Sequence, residues 1–372
     1  MKRILFLSLF LAFFVGSASA TIIYVPDDYT TIQDAINNSV AGDEIIVRDG
    51  TYTENIVIDK AITLRSENGS ENCIIDGSGN DVIVIQMSNV IVKGLTVRNG
   101  ETGIRIDPSF HDYVVITENH VTDQSYCGID LNTAHYCKIT YNTITNCVYA
   151  LPVYGESNYN YIAHNIIHDN ENYGLEVVSG SSNNIFENNS VLRNWYGIML
   201  NDAHNNIFRR NNISDNDYGI VSIFSSDNVF YQNNIGNSYD LWNWGSTIHL
   251  NSTSPVRYFL CCEEREGYLG NYWERNTAND ENGDGITDSQ YCAESGDCDL
   301  YPLAHPMPEL HPLIISSSAP PTPTPSPTSI PTCTPTEIEM KKEERFDEGF
   351  AVGISFSLLF IPLLLIWRWF ER

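Results

Sequence analysis

Oxygen-bearing residues recur at alternate positions in one short stretch, with the spacing of a calcium-binding loop. The predicted ligands are Asp280, Asn282, Asp284, the backbone carbonyl of Ile286, and Asp288. Calcium prefers such oxygen ligands, and a glycine at the sixth position permits the sharp turn. Tyr291 stands where the bidentate glutamate of such loops belongs, so Asp297 or Asp299 would have to complete the site. The stretch predicts a structural Ca²⁺ site, with a solvated acidic turn as the alternative.

Two carboxylates, Asp130 and Glu176, fall at the same position of a sequence repeat, two repeats apart. If the repeats stack as β-coils, about 4.8 Å each, the two groups lie roughly 9 to 10 Å apart. Inverting glycosidases hold their carboxyl pair about 6.5–9.5 Å apart, so that one protonates the leaving oxygen while the other activates water. Asp130 and Glu176 are therefore catalytic candidates, and solvated surface acids are the alternative.

Cysteine and histidine positions indicate disulfides rather than soft-metal chemistry. Cys292 and Cys298 flank an acidic loop and predict a disulfide, whereas Cys333 could link two chains or remain a thiol. Copper handling needs clustered Cys, Met and His, but His164 and His168 flank a predicted turn and the methionines are scattered. Polar turn histidines are the interpretation that fits this spacing.

The candidate groups lie on or beside a pattern that recurs roughly every 22 to 25 residues between Gly103 and about Asp240. Each repeat has an apolar opening, a polar turn, a second apolar pair and an asparagine. The openings start at Gly103, Gly128, Ala150, Gly174, Gly197 and Gly219, and the asparagines are Asn119, Asn142, Asn165, Asn189, Asn211 and Asn233. Units this short, with alternating apolar residues, predict strands stacked as a solenoid. The predicted fold class is all-β, a right-handed parallel β-helix, with the hand expected for parallel crossovers.

Stacked repeats would align equivalent side chains into ladders along the axis. Positions such as Ile129 and Leu131 are predicted to point inward and Asp130, between them, outward. The asparagine ladder is predicted to satisfy turn backbone groups through its amides. Pro152 lacks an N–H group and predicts a bent or weakly paired coil. Aromatic residues that could fill corners or stack on sugar rings are Tyr149, Tyr173, Tyr196, Tyr218, Trp195, Trp242 and Trp244.

Both ends of the chain predict export and anchoring. A basic start, an apolar run and an A-x-A site ending at Ala20 form a secretory signal. A Pro/Thr/Ser tract predicts an extended stalk, and about 20 apolar residues after it are long enough to cross a bilayer. The predicted domains are a signal peptide (1–20), a β-helix ectodomain (21–315, with repeats at about 103–240 and a closing segment at 241–315), a stalk and charged spacer (316–348) and a transmembrane helix (349–370). The ectodomain is thus expected at the cell surface, anchored in the cytoplasmic membrane. The formal net charge of −27 argues against a nucleic-acid partner.

The first coils carry a family resemblance. The run from Thr31 to Ile36 predicts a short helix, capped by Thr30 or Thr31, that covers the open end of the solenoid. This run, the following Gly42-Asp-Glu-Ile-Ile-Val segment and the repeats resemble the NosD-like right-handed parallel β-helix family, the carbohydrate-binding and sugar-hydrolysis group. The closing segment around Asn271-Tyr-Trp is similar to archaeal surface members. The resemblance implies the fold for residues 21–305.

The sequence therefore predicts a surface-anchored β-helix protein that is non-catalytic and serves carbohydrate binding, adhesion or envelope structure, with a polysaccharide or surface glycan as partner. A polysaccharide hydrolase, lyase or epimerase is the alternative. A copper accessory factor, which the NosD-like resemblance implies, is a third hypothesis.

Overall fold

The computed structural model describes residues 20–109, 112–260 and 263–307. The predicted signal peptide, the stalk with Cys333 and the predicted transmembrane helix at 349–370 lie outside the described residues. Within the described ranges, no helix is long and apolar enough to cross a membrane.

One short helix and 32 strands make up the described chain. The helix is α1 (Ile32–Asn38). In chain order the strands are β1 (Ile22–Val25), β2 (Glu44–Val47), β3 (Gly50–Thr53), β4 (Ile56–Ile58), β5 (Thr63–Ser66), β6 (Cys73–Asp76), β7 (Ile83–Ile85), β8 (Ile91–Lys93), β9 (Thr96–Arg98), β10 (Thr102–Ile106), β11 (Val115–Thr117), β12 (His120–Asn132), β13 (Lys138–Thr140), β14 (Thr143–Tyr154), β15 (Tyr161–Ala163), β16 (Ile166–His168), β17 (Tyr173–Val178), β18 (Ile185–Glu187), β19 (Ser190–Leu192), β20 (Tyr196–Asn201), β21 (Ile207–Arg209), β22 (Asn212–Ser214), β23 (Tyr218–Ile223), β24 (Asn228–Tyr231), β25 (Asn234–Gly236), β26 (Tyr239–Trp244), β27 (Ile248–His249), β28 (Val256–Leu260), β29 (Glu263–Gly267), β30 (Tyr272–Trp273), β31 (Tyr291–Cys292) and β32 (Cys298–Asp299).

The strands wind into a parallel β-helix with three faces. The first face is an 11-stranded sheet that runs from β1 to β27. A 17-stranded sheet forms the other two faces, because β12 and β14 bend around a corner and belong to both. The second face includes β16, β19, β22 and β25, and the third face includes β10, β17, β20, β23 and β26, with the C-terminal parts of β12 and β14.

The core lies along the axis and consists of the inward side chains of all three faces. The positions predicted to point inward, such as Ile129 and Leu131, are fully buried. Phe186, Phe208 and Phe230 stack face to face with ring centroids 4.4 Å apart on successive coils of the first face. The alternation of apolar and polar residues therefore predicts the core correctly.

Asparagine ladders fix the corners between the faces. In the predicted ladder, Asn165 donates its backbone N–H and its Nδ2 to Asn189 Oδ1, both at 3.0 Å, and Asn189 Nδ2 donates to the Ile162 carbonyl at 2.9 Å. The ladder continues to Asn271, and the predicted role in satisfying backbone groups is confirmed. Two further ladders were not predicted; their members are Asn160, Asn184, Asn206 and Asn228, and Asn170, Asn194, Asn216 and Asn237.

At the N-terminal end, α1 covers the first coils. Thr31 Oγ1 accepts the Asp34 N–H at 3.1 Å, so Thr31 rather than Thr30 caps the helix. Ile32 and Ile36 are buried beneath it. The weak pairing predicted at Pro152 is found on one side only: the register between β12 and β14 has no pair at Leu151 or Pro152, whereas β14 itself continues through Pro152, which aligns with Glu176 on β17.

At the C-terminal end, regular coils give way to a closing segment. β28 and β29 form an antiparallel hairpin, after which β30 returns to the 17-stranded sheet beside β25. Asp299 is fully buried and accepts hydrogen bonds from the backbone N–H groups of Asn271 (2.6 Å) and Tyr301 (3.0 Å) and from Trp273 Nε1 (2.9 Å). Gly270 is needed here, because a Cβ atom would lie 1.9 Å from Asp299 Oδ1.

Candidate functional site

The outward side chains of the third face form a strip that is largely apolar. We define this outer strip by its two rows of residues. One row is Pro152, Glu176, Met199, Val221 and Trp242, and the row beside it is Tyr154, Val178, Asn201, Ile223 and Trp244. Pro152 and Val221 are buried, and Met199, Val178 and Ile223 are half-buried, so the exposed apolar surface of the strip lies at its C-terminal end, at Trp242 and Trp244. An exposed apolar patch of this kind indicates a binding surface. The strip can be recognised in the sequence once the repeats are aligned, because its two rows lie two residues apart on each strand and so point to the same side.

Tyrosines line one edge of the outer strip. Tyr149, Tyr173, Tyr196, Tyr218 and Tyr239 lie on successive coils with ring centroids 5.1–5.4 Å apart. Rings this close cover one another's faces along the ladder, which leaves their edges and hydroxyl groups for a ligand. Of the two predicted roles, filling a corner and stacking on sugar rings, the contacts between the tyrosine rings support the first.

Open aromatic faces occur at the C-terminal end of the outer strip. Trp242 is 51 % exposed and Trp244 is 61 % exposed. Phe224 and Tyr239 are exposed near them, and Trp195, two coils earlier, is also exposed. Trp242 is tilted against Tyr218 at a centroid distance of 6.0 Å, and Trp244 is tilted against Phe224 at 5.4 Å. The tryptophan rings are thus supported at one side and accessible to solvent.

The two predicted catalytic acids lie at the other end of this face, but they are not equally accessible. Asp130 is only 3 % exposed, so the expectation that the outward acids are solvated is wrong for this residue. The reason is Tyr154 on the next coil, whose hydroxyl donates to Asp130 Oδ2 at 3.1 Å. Asp130 Oδ1 is buried with no hydrogen-bond partner.

Burial dominates the titration of both acids. Loss of solvent raises the pKa of Asp130 to about 6, although the Tyr154 hydroxyl and the Arg105 charge oppose the shift. Loss of solvent and then the negative charge of Asp130 raise the pKa of Glu176 to about 7. Arg105, on the coil before Asp130, pairs with Asp81 at 3.0 Å. Tyr154 is the member of this group that the sequence did not reveal.

The histidines considered for copper lie apart from this face. His164 stacks on Tyr141, with ring centroids 4.7 Å apart. His168 contacts Asp169, which Arg193 binds through two hydrogen bonds of 2.7 and 2.8 Å. A shallow depression of about 590 Å³ borders Asp169 and Arg193 on the bend between the second and third faces. Among the described residues, no three His, Cys, Asp or Glu side chains converge as a metal centre.

The predicted calcium loop folds around its first carboxylate. Asp280 accepts the backbone N–H groups of Gly283 (2.8 Å), Asp284 (3.1 Å) and Gly285 (2.8 Å). Asp288 returns to the start of the loop and accepts the Glu281 N–H at 2.7 Å. Asp280, Asp284 and Asp288 thus lie on one turn, but their oxygens accept the loop's own backbone N–H groups and the three carboxylates do not converge as a metal centre.

The two carboxylates expected to complete this calcium site have other partners. Asp297 accepts from Asn243 Nδ2 at 3.0 Å, and Asp299 is buried under the closing segment. In the same region, Cys292 and Cys298 form a disulfide with an S–S distance of 2.04 Å.

Residues 102–254 match the family model described as the right handed beta helix region. The fold is a right-handed parallel β-helix. The matched range begins at β10 and ends after β27, so it contains the outer strip, the tyrosine ladder and the acids Asp130 and Glu176.

The curated and solved proteins that resemble the chain differ in kind. A protein named cell surface glycoprotein from Methanothermus fervidus is 35 % identical over 94 residues, which is 25 % of this chain and 16 % of that protein. The chain thus spans only a small part of its curated relative. Among solved structures, pectate lyase Pel9A has a TM-score of 0.50 at 14 % identity, covering 62 % of this chain and 79 % of its own. The AlgE6 A-module of an Azotobacter vinelandii mannuronan C-5 epimerase has a TM-score of 0.47 at 15 % identity, covering 58 % and 73 %. At 14 % identity, the likeness to pectate lyase Pel9A shows the fold alone.

Proposed function

We propose that the chain is a cell-surface β-helix protein that binds a polysaccharide along the outer strip. The observation that carries this proposal is the pair of open aromatic faces, Trp242 and Trp244, at one end of the outer strip. The flat apolar side of a sugar ring packs well on an aromatic face, and tyrosine hydroxyls along the edge supply hydrogen bonds to sugar hydroxyls. A strip that follows the solenoid axis suits an extended polymer.

The surface location is part of the same proposal. The predicted signal peptide and membrane anchor support it, and so does the likeness to a protein named cell surface glycoprotein. An exported binder held on a stalk would meet polysaccharides outside the cell. The resemblance to NosD-like proteins is compatible with this role, whereas a copper role finds no support in the histidine positions.

Polysaccharide cleavage or epimerisation at Asp130 and Glu176 is the alternative function. The raised pKa values favour it, because a carboxyl that is protonated near neutral pH can act as a general acid. The burial of Asp130 opposes it, since a carboxylate that is only 3 % exposed offers a substrate or an attacking water little access. Binding without chemistry is therefore the function that the geometry supports best.

Binding and chemistry can be separated in one experiment with the full-length protein in detergent. The protein is incubated with a panel of polysaccharides, and retention and newly formed sugar ends are both recorded. We expect retention without new ends, and at least a tenfold weaker affinity for the Trp242→Ala/Trp244→Ala variant, because aromatic anchors dominate such contacts. Tyr159→Ala, at an exposed tyrosine of another corner, is the matched control. Formation of new ends that stops in Glu176→Gln would establish the enzymatic alternative instead.

A further inference from the structure

The ionised groups that border the outer strip are carboxylates. Asp130 and Glu176 lie at its N-terminal end, and the exposed Asp202 and Asp217 flank its C-terminal half. The strands β10, β17, β20, β23 and β26 contain a single cation, Arg105. Negative charges thus outnumber positive charges on this face.

The cations on or near the face already have carboxylate partners. Arg105 pairs with Asp81 at 3.0 Å, and Arg193, two residues before Trp195, pairs with Asp169 at 2.7 Å. Arg275 pairs with Glu294 at 2.8 Å and also donates to the carbonyls of Asn237 and Ser238, both at 2.6 Å. Each of these guanidinium charges is thus already offset by at least one carboxylate.

We infer that the polysaccharide bound on the outer strip carries no carboxylate, sulfate or phosphate groups, and this inference rests on the proposed function. A charged polymer lying along the strip would place its anions beside Glu176, Asp202 and Asp217 with no unpaired cation in the described part of the face to offset them. Like charges that lie side by side repel strongly where water is partly excluded. Hydroxyl groups, by contrast, can donate to these carboxylates, so neutral sugars match both the aromatic and the acidic parts of the face.

The titration of the acids is consistent with this assignment. Glu176 already has its pKa raised by burial and by the neighbouring Asp130 charge. An anionic ligand would increase the repulsion at Glu176, whereas a neutral ligand that donates a hydrogen bond would reduce it. Anion rejection should therefore be strongest above the pKa of Glu176.

The test compares polymers that differ only in charge, using the full-length protein. Fully methyl-esterified polygalacturonan is compared with its free acid, and cellulose with carboxymethyl cellulose, at pH 8 and low ionic strength. We expect the neutral member of a pair to bind at least about tenfold more tightly, with a smaller difference in about 1 M salt, where the Debye length falls to about 3 Å. Glu176→Gln should reduce the difference, and Glu71→Gln, at an exposed site in a distant turn, should leave it unchanged.

Each other outcome has a distinct meaning. Equal or tighter binding of the anionic members would overturn the inference and leave the proposed binding function intact. A difference that persists in Glu176→Gln and in high salt would also overturn it, because the selection would then be steric. If no polysaccharide in the panels is retained, and the Trp242→Ala/Trp244→Ala variant behaves like the unmodified protein, the proposed function itself is wrong.

Discussion

Asp130 shows how one side chain can change the chemistry of an outward position. Its neighbours in sequence, Ile129 and Leu131, are core residues, so the strand must turn Asp130 away from the core. The hydroxyl of Tyr154 then binds it from the next coil, and its second oxygen has no hydrogen-bond partner. A carboxylate held in this way is destabilising when ionised.

This arrangement predicts a pH-dependent gain from removing the charge. Asp130→Asn or Glu176→Gln should raise the free energy of unfolding by about 1–3 kcal/mol at pH 8, with no gain near pH 4. The folded-state pKa values are raised to about 6 and about 7, so the folded protein holds these protons more tightly than the unfolded chain. Stability is consequently lost as the pH rises from about 4 through 7. Urea unfolding at both pH values measures it, with the exposed Asp59→Asn as control. Equal gains at both pH values would contradict the explanation.

The asparagine ladder is easier to predict from the sequence than the burial of Asp130. Asn189 and its equivalents recur once per repeat beside an apolar pair, so their ladder and its backbone role could be predicted from spacing alone. The burial of Asp130 could not, because it depends on Tyr154, a residue from the next coil whose position in the repeat is occupied by different residue types. Contacts between coils are visible in sequence only when both partners repeat.

At the scale of elements, the asparagine ladders connect coils that short strands alone would hold weakly. Most strands of the regular coils are only three to six residues long, and each corner would leave backbone groups without partners. Asn189 supplies such partners at one corner, because it accepts two hydrogen bonds from Asn165 and donates one to the Ile162 carbonyl. Corner stability should therefore depend on individual amides.

Asn189→Ala tests this dependence. The substitution removes the acceptor of the Asn165 backbone N–H, one of the two acceptors of Asn165 Nδ2, and the amide that donates to the Ile162 carbonyl. We expect a loss of about 2–4 kcal/mol in the free energy of unfolding. Asn201→Ala, at an exposed position of β20, should change the free energy by less than about 0.5 kcal/mol. Urea unfolding of both variants provides the comparison. Similar effects in the two would mean that strand pairing alone holds the coils.

The loop from Asp280 to Asp288 is the second element whose role can be tested. We expect Ca²⁺ to raise the melting temperature of the metal-free protein and to release or absorb measurable heat on titration, because oxygen ligands at this spacing suit calcium. Asp288→Asn removes one charged ligand with little change in shape and should abolish both effects. Mg²⁺ serves as the control ion. Unchanged melting and no binding heat with Ca²⁺ would leave the loop as an acidic turn organised by Asp280 alone.

At the scale of the whole molecule, the repeat period determines the architecture, and the ends depart from it. The spacing of the openings from Gly103 to Gly219 predicts the coils and the core. The closing segment has no such period, so spacing does not reveal the hairpin of β28 and β29 or the return of β30 to the sheet. Buried Asp299 fixes that return by accepting hydrogen bonds from Asn271 and Trp273. The outer strip belongs to the regular part, which is why its rows can be read from the repeats once the coils are aligned.

The asparagine ladders also align their side-chain amide dipoles along the solenoid axis. Along the predicted ladder each side-chain amide donates toward the next coil, so its dipoles point the same way from Asn119 to Asn271. The positive end of this row lies at the closing segment, where Asp299 accepts its last hydrogen bonds, and a second row ends on the side chain of Asp240. Negative charge at the donor end of aligned dipoles is favourable, as it is at the N-terminus of an α-helix. Both rows thus end on a carboxylate at their donor end.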